Sequence, residues 1–327
     1  MNVAISVIIP VYNGAEFVES AYRQIQGQQL LNAEIIFVDN NSTDGSLTLL
    51  DKLQENHQDI AVLKEKKQGA AAARNKGLTI AKGEFIYFFD VDDKLMPGAL
   101  HHLINVLKTK PEADSVFGVA SKNYTAQEQE GDFKISYKAA PFWGMHWFNN
   151  FSKLTGGPPA FLHRKRVFDK IGNFPEQLLL GEDAAFHIKL GLHCFLLHTE
   201  KVIFYYHRHD ASTVSRNNKK QTRAATYWQQ YVNFYIDYHI NKYPNVQFGS
   251  ILRQKMLLSM IRLLRNEKGI KNRIKKYKAL KEEIKPLKIH KFIEGFFTIL
   301  VFLPLPLYIK IVVKVVKKTY PETINPK

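Results

Sequence analysis

Three aspartates follow a strongly apolar segment near residue 90. Phe85–Phe89 is apolar or aromatic throughout, and Asp90, Asp92 and Asp93 come directly after it. Carboxylates packed this closely repel one another unless a cation shares them, and oxygen ligands on a loop suit Mg²⁺ or Mn²⁺. A bound metal would bridge a diphosphate and neutralise charge that develops on a phosphate leaving group. A solvated acidic turn before the next helix is the alternative interpretation.

The surrounding sequence alternates between strand and helix patterns. Short apolar runs predict strands buried on both faces, and these are Ala4–Pro10, Glu34–Val38, Ile60–Leu63 and Phe85–Phe89. Helical spacing and capping signals predict helices, namely Ala15–Gln28, a helix capped by Ser42 that runs through Leu53, Ala70–Ala81, and a helix that starts at Pro97. This alternation implies right-handed crossovers and a mainly parallel sheet flanked by helices, the α/β class.

Polar residues stand where the predicted strands end. Ligands of open α/β sheets bind outside the carboxyl ends of the strands. Those ends carry Tyr12–Asn13, Asp39–Asn40 and Asp90–Asp93. The topology therefore predicts one ligand site that is built from these three loops.

Composition and charge exclude several classes of protein. Apolar residues make up 45% and charged residues 23% of the 327 residues, which excludes a collagen-like or fully disordered chain. Cys194 is the only cysteine, so an intrachain disulfide and a cysteine-based zinc cluster are excluded. Residues 1–215 carry a net charge of −2 and residues 216–327 carry +18. The basic last third suits an anionic surface, and without a recognised nucleic-acid-binding motif we favour membrane lipid.

Four segments in order resemble one known family. They are SVIIPVYN (6–13), FVDNNSTDGS (37–46), GAAAARNKG (69–77) and GEFIYFFDVDD (83–93). Together they resemble the family 2 glycosyltransferases, which have the Rossmann-like GT-A fold with a mixed, mainly parallel sheet. The resemblance covers about residues 3–100 and resumes near 155–215. It implies an inverting, metal-dependent hexosyltransferase that moves a sugar from a nucleotide-sugar, expected to be a UDP-sugar, to a hydroxyl of a glycan or lipid-linked acceptor in cell-surface polysaccharide biosynthesis.

The resemblance implies a nucleotide pocket in the donor half, about residues 1–115. Pro10, Tyr12 and Asn13 would line this pocket. Asp39 would hydrogen-bond the uracil edge, and Arg74 would hold the nucleotide from the following helix. Simpler structural roles remain open, because Asn13 begins a common turn pair and an arginine also pairs with surface carboxylates.

The same resemblance assigns the aspartates of the D-x-D motif. Asp92 and Asp90 would bind Mn²⁺ or Mg²⁺, with Asp90 nearer the ribose and phosphate, and Asp93 would orient the donor sugar. The family often has a second acid where this chain has Asn40. We interpret Asp44, in a turn before a helix, as structural.

A second acidic pair lies in the acceptor half, about residues 116–215. Gly181–Phe186 resembles the family's Glu-Asp pair at the start of a helix. The resemblance implies that Asp183 is the general base that takes the proton of the acceptor hydroxyl, with Glu182 beside it on the acceptor side. Adjacent acids raise each other's pKa and a helix N-terminus lowers it, so the sequence leaves the net shift open. Two acids in an ordinary first helical turn are the alternative.

Other residues of the second half are weaker candidates. Gly157, within Gly-Gly-Pro-Pro, would face the acceptor or belong to a plain connector. Phe142, Trp143 and Trp147 would stack on a sugar or an isoprenoid, or form core, and we favour core.

A segment after residue 205 resembles the family's diphosphate-binding loop. Arg208 would bind the phosphates, because its fixed charge suits a leaving pyrophosphate. His207 or His209 would complete the metal shell, and Ser212 and Ser215 would order the loop over the donor.

Residues 216–327 are predicted to form a helical, basic region. Lysines flank apolar sequence over about 286–318, and the longest apolar run, Phe296–Ile309, is interrupted by prolines and too short to span a bilayer. This pattern favours a segment that lies in the headgroup region, although a helical pair packed on the catalytic domain fits too. With no recognisable signal peptide, we expect a cytoplasmic protein at the inner face of the cell membrane.

Two other functions fit parts of the sequence. A nucleotidyltransferase would use a similar sheet and metal and would release pyrophosphate. The Glu182–Asp183 pair and the lack of a glycine-rich loop after the first strand count against it. A non-catalytic, membrane-associated scaffold with an inactive transferase domain would bind UDP without turnover.

Overall fold

The computed structural model describes residues 3–121, 129, 131–150, 154, 156–178, 180–206, 223–240, 246–283, 291–302 and 306–320. These residues belong to two compact units, Met1–His209 and Asp210–Lys327. The domain boundary predicted at residue 215 lies outside the described residues.

Strands and helices alternate along the first unit. Its strands are β1 (Ile5–Val11), β2 (Ala33–Asp39), β3 (Ile60–Lys64), β4 (Phe85–Phe88), β5 (Lys94–Leu95), β6 (Ser115–Ser121), β7 (Ile135–Lys138), β8 (Phe161–Arg164) and β9 (Leu196–Tyr205). Its helices are α1 (Ala15–Gln26), α2 (Ser46–Asn56), α3 (Ala70–Leu78), α4 (Ala99–Lys108), α5 (Phe142–Asn149), α6 (Arg166–Ile171) and α7 (Glu182–His193). A short 3₁₀ turn, Pro158–Ala160, precedes β8.

The strands form one mixed sheet. In the part of the chain that the structure describes, nine strands pair in the order β3-β2-β1-β4-β8-β6-β9-β5, and β7 pairs with β9. β1 is parallel to β2 and β4, and β2 is parallel to β3. β8 is antiparallel to β4 and β6, whereas β6 and β9 are parallel. The predicted α/β class with a mainly parallel sheet is confirmed.

The apolar runs form the centre of this sheet. Ile5, Val7, Ile8 and Ile9 of β1 are fully buried, as expected for a strand that is covered on both faces. α3 lies very close to β1. A Cβ atom added at Gly77 would lie only 2.4 Å from the side chain of Ile8. The small residues of α3 therefore let this helix lie directly against the parallel strands.

Several predicted helix boundaries differ from the structure. α4 begins at Ala99 and not at Pro97, because Gly98 between them adopts a left-handed φ of 66°. α3 ends at Leu78, three residues before the predicted Ala81.

The helix predicted to be capped by Ser42 begins only at Ser46. The hydroxyl of Ser42 is used differently, because it accepts a hydrogen bond from the backbone N–H of Asn13 (3.0 Å). Asp44 accepts hydrogen bonds from the backbone N–H groups of Ser46 (2.9 Å) and Ala15 (3.0 Å). Asp44 thus has the structural role that we expected.

The second unit is helical in the described residues. Its helices are α8 (Arg223–Ile240), α9 (Val246–Asn266), α10 (Ile270–Glu283), α11 (Lys291–Phe302) and α12 (Pro306–Thr319). Their core is apolar and includes Trp228, Phe248, Met256, Phe297 and Val312. Among the described helices, none combines the length and hydropathy that crossing a membrane requires.

Candidate active site

The loops after β1 and β2 are hydrogen-bonded to each other. Asn13 has a left-handed φ of 48°, and its Oδ1 accepts a hydrogen bond from the backbone N–H of Thr43 (2.7 Å). Tyr12 precedes it with 43% of its surface exposed, and Pro10 is partly exposed. The Oδ1 atom of Asn13 therefore holds the two loops together. The exposed ring of Tyr12 lies at the end of β1.

Asp39, the last residue of β2, has an unsatisfied oxygen. The side chain is buried, with 4% of the residue exposed. Its Oδ2 accepts a hydrogen bond from the backbone N–H of Ser42 (3.3 Å), whereas Oδ1 has no hydrogen-bond partner among the described residues. A buried carboxylate oxygen without a partner is costly. It is suited to accept a hydrogen bond from a ligand.

Asn40 holds the loop between β3 and α3. Its Nδ2 donates to the carbonyl oxygens of Glu65 (3.2 Å) and Lys67 (2.7 Å), and its Oδ1 accepts from the backbone N–H of Gly69 (2.7 Å). An ionised aspartate has no proton for the two carbonyls. This explains physically why an amide stands where the family often has an acid.

Asp90, Asp92 and Asp93 lie in the turn after β4. The backbone N–H of Asp93 donates to the carbonyl of Asp90 (3.0 Å), and Asp93 is buried. Asp90 and Asp92 are partly exposed. Among the described residues, no group of three or more His, Cys, Asp or Glu side chains could hold a metal ion. Two carboxylates nevertheless fit Mg²⁺ or Mn²⁺, because Mg²⁺ is commonly bound by one or two carboxylates together with substrate phosphates.

Arg74 joins this turn to the start of α7. It projects from α3 with 3% of its surface exposed. Its Nη2 lies 2.7 Å from Asp90 Oδ1 and its Nη1 lies 3.3 Å from Glu182 Oε1. Burial acts to lower the pKa of Arg74, but the attraction of Asp90 and Glu182 outweighs it and the pKa is raised. One permanently charged guanidinium therefore brings acids from the two halves of the sequence into a single site.

Glu182 and Asp183 form the first turn of α7, after Gly181 with a left-handed φ of 77°. Burial, together with the negative charge of Asp183, raises the pKa of Glu182 to about 7 against the opposing effect of Arg74. Burial also raises the pKa of Asp183, against the opposing effects of Arg74 and of the backbone N–H of Ala184. The sequence left the sign of these shifts open, and burial decides it.

The remaining candidate residues differ in their burial, and some lie outside the described residues. Gly157 precedes the 3₁₀ turn, and its carbonyl accepts a hydrogen bond from the N–H of Ala160 (3.0 Å). Trp147 is buried against Phe117, as expected for core, but Phe142 is 41% exposed. His207, Arg208, His209, Ser212 and Ser215 lie outside the described residues, and so does the arrangement predicted for them.

Asn75 is a structural feature of the site to which the sequence interpretation gave no role. It is buried next to Arg74, and its side chain hydrogen-bonds to Phe174 and Glu176. Asparagine is a poor helix former, so its place in the alanine-rich sequence of α3 was a signal that the side chain has a specific partner.

Comparisons with known proteins agree with this fold. The model of the family described as Glycosyl transferase family 2 matches residues 6–172. Glycosyltransferase GlyG of Streptococcus pneumoniae serotype 4 is 36% identical over 134 residues, which are 41% of this chain and 43% of that protein. The match thus spans less than half the length of this relative.

Two further proteins are similar over more of the chain. The GalNAc(5)-diNAcBac-PP-undecaprenol beta-1,3-glucosyltransferase of Campylobacter jejuni is 31% identical over 224 residues, 64% of this chain and 67% of that protein. The crystal structure of S. aureus TarS 1-349 in complex with UDP-GlcNAc superposes with a TM-score of 0.63 and 17% identity over 97% of this chain and 91% of that one. This structural similarity supports the fold.

Proposed function

The chain belongs to glycosyl transferase family 2, and on this premise we propose that it is an inverting glycosyltransferase. It transfers a sugar from a UDP-sugar to a hydroxyl of a glycan or lipid-linked acceptor during synthesis of a cell-surface polysaccharide. The observation that carries this proposal is the pair of contacts made by Arg74. Through them the strand-end carboxylate Asp90 and the acidic pair at the start of α7 share one site.

The donor nucleotide occupies the edge formed by β1 and β2. Asp39 Oδ1, which has no partner among the described residues, accepts the N3–H of uracil. The exposed ring of Tyr12 stacks on a face of the nucleotide. The complex of TarS with UDP-GlcNAc supports a uridine donor on this fold.

The diphosphate lies at the turn that carries Asp90 and Asp92. These two carboxylates would hold Mg²⁺ or Mn²⁺, with His207 as the proposed third ligand. When bound, the metal neutralises negative charge on the departing UDP. Arg74 holds Asp90 by its Oδ1, and we assign Arg208 to the phosphates and Asp93 to the donor sugar.

Asp183 is the general base. An inverting transfer requires a carboxylate that removes the proton of the acceptor hydroxyl as this oxygen attacks the anomeric carbon from the face opposite UDP. The raised pKa of Asp183 makes its ionised form a stronger base than an exposed aspartate. Glu182 keeps Arg74 at the start of α7, and Gly157 lies on the acceptor side.

The basic second unit supports a peripheral position on a membrane. Phe302 and Ile299 of α11 and Ile311 of α12 are 49%, 47% and 44% exposed. The two helices are joined by the hydroxyl of Tyr308, which donates to the carbonyl of Phe296 (3.0 Å). α12 also carries four exposed lysines, namely Lys310, Lys314, Lys317 and Lys318.

This lipid-facing surface (Ile299, Phe302, Ile311 and the four lysines) fits anionic phospholipid. Apolar side chains enter the headgroup boundary, and each lysine near the surface adds about 1 kcal/mol of attraction. The undecaprenol-linked acceptor in the name of the Campylobacter jejuni relative supports a lipid-linked acceptor. We propose that the protein meets this acceptor at the inner face of the cell membrane.

The experiment measures UDP release by the purified protein with Mn²⁺ or Mg²⁺ and a panel of UDP-glucose, UDP-galactose and their N-acetyl forms. Asp92→Ala and Asp183→Asn are compared with Asp51→Ala and Asp51→Asn, matched changes at an exposed position of α2. We expect Asp183→Asn to lose about 10²- to 10⁴-fold in rate, the usual contribution of a general base. Full activity in both site variants, or release of pyrophosphate in place of UDP, would overturn the proposal.

A further inference from the structure

We infer that Asn75 of α3 is a positioning residue that fixes the location of the base, Asp183, by clamping the segment that leads into α7. This inference rests on the proposed function, because it assigns a task to Asp183.

The side chain of Asn75 is fully occupied by the segment around Phe174. Its Nδ2 donates to the carbonyl of Phe174 (2.9 Å) and to Glu176 Oε1 (2.8 Å). Its Oδ1 accepts a hydrogen bond from the backbone N–H of Phe174 (3.0 Å). The amide thus satisfies both backbone polar groups of one buried residue, a pairing that neither aspartate nor leucine can reproduce.

Phe174 transmits this clamp to α7. Its ring stacks on the ring of Phe186, with centroids 4.1 Å apart and planes inclined by 19°. Phe186 lies three residues after Asp183, and residues three apart share one face of a helix. The guanidinium of Arg74 lies 5.3 Å from the centre of the Phe174 ring. Moving the backbone of Phe174 therefore shifts Phe186 and the first turn of α7, while the ion pair with Asp90 still holds Arg74 at the donor side.

Two consecutive residues of α3 hold both ends of the segment. Asn75 binds it at Phe174 and Glu176, and Arg74 binds it at Glu182. Glu176 is held from its other oxygen by Lys67 (2.7 Å), whose carbonyl accepts from Asn40. α3 itself lies against β1. Through these contacts α3 connects the position of Asp183 to the sheet that carries the donor site.

Displacement of the base affects chemistry more than donor binding. A misplacement of about 1 Å costs up to about 100-fold in rate. We expect Asn75→Ala to lower kcat by about 10- to 100-fold, while the KM for the UDP-sugar and the Kd for UDP stay unchanged. The matched control is Asn56→Ala, which removes an exposed asparagine whose Nδ2 donates to the carbonyl of Lys52.

An exchange of donor and acceptor gives a sharper test. In Asn75→Asp one carboxylate oxygen faces Glu176 Oε1, and the two negative charges repel. Adding Glu176→Gln supplies an amide donor to that oxygen, so we expect the double variant to recover part of the lost kcat. Glu176→Gln alone keeps the acceptor for Asn75 and gives up only the pair with the exposed Lys67, so its kcat stays near that of the unaltered protein.

Hydrogen exchange tests the clamp without any reaction. In Asn75→Ala the amide of Phe174 should exchange about tenfold faster, the factor that corresponds to one lost hydrogen bond. If the protein releases no UDP but its Asn75→Ala variant shows this faster exchange, the proposed function is wrong and the clamp at Phe174 is still supported.

Three results would overturn the inference. One is an unchanged kcat in Asn75→Ala from a protein that is otherwise active. Another is a loss that appears in the KM for donor, with no recovery in the double variant. The third is loss of the cooperative unfolding transition in every Asn75 variant, which would make the residue a support of the whole unit.

Discussion

Replacing Asp39 by asparagine should change ligand binding without a loss of stability, because one buried carboxylate oxygen is proposed to bind the ligand. In the ligand-free protein Asp39 Oδ1 is buried and has no partner among the described residues. The proposed function gives that oxygen the N3–H of uracil. A hydrogen bond to a charged group contributes about 1.5–3 kcal/mol, which corresponds to about 10- to 100-fold in Kd. We therefore expect Asp39→Asn to weaken UDP binding by about 10- to 100-fold.

The same substitution should not destabilise the ligand-free protein. Asparagine carries no charge, so burying it is less costly than burying a carboxylate with an unsatisfied oxygen. Titration calorimetry with UDP and with GDP gives the affinities, and urea denaturation gives the free energy of unfolding. Asp51→Asn, the same change at an exposed position of α2, is the control. Unchanged UDP affinity in Asp39→Asn, or a parallel loss of stability, would refute the assignment.

Three further changes test other parts of the site and of the second unit. Arg74→Met leaves two partly buried carboxylates without their cation, so we expect a loss of about 3 kcal/mol in urea denaturation; an unchanged midpoint would contradict the bridge. Because burial raises the pKa of Asp183, kcat/KM should fall with decreasing pH along a limb that lies above the ordinary aspartate range. Arg74→Met should move that limb to higher pH, because it removes the positive charge that opposes the rise in the pKa of Asp183; a limb that stays in place would argue against Asp183 as the base. Serine at Phe302 and Ile299 should release the full chain from phosphatidylglycerol vesicles in flotation, whereas a serine at the exposed Leu31 of the first unit should not; equal flotation of these variants would refute the assignment of the lipid-facing surface.

The sheet, and the edge of it at which Asp39 and Asp90 lie, could be predicted from sequence because their signals are local. β1, β2 and β4 are apolar runs without alternation, and a strand covered on both faces requires such a run. The order of strands and helices then places Asp39 and Asp90 at one edge. Each of these steps needs only neighbouring residues in the chain.

The partners of the polar side chains could not be predicted in the same way. Ser42 is a good helix cap by residue type, but α2 begins only at Ser46, and the Ser42 hydroxyl accepts the backbone N–H of Asn13. The contacts of Arg74 with Glu182 and of Asn75 with Phe174 join residues about a hundred positions apart. The side chain of Asn40 likewise shows its task only when the loop before α3 is folded against it.

The account depends on a single site that joins the nucleotide edge to the acid pair of α7. A crystal structure of the protein with UDP and Mn²⁺ tests this most directly. We predict that uracil lies against Asp39 and that the diphosphate lies beside Asp90 and Asp92, on the side that faces Asp183. UDP bound at another edge of the sheet, or a diphosphate that faces away from Asp183, would contradict it.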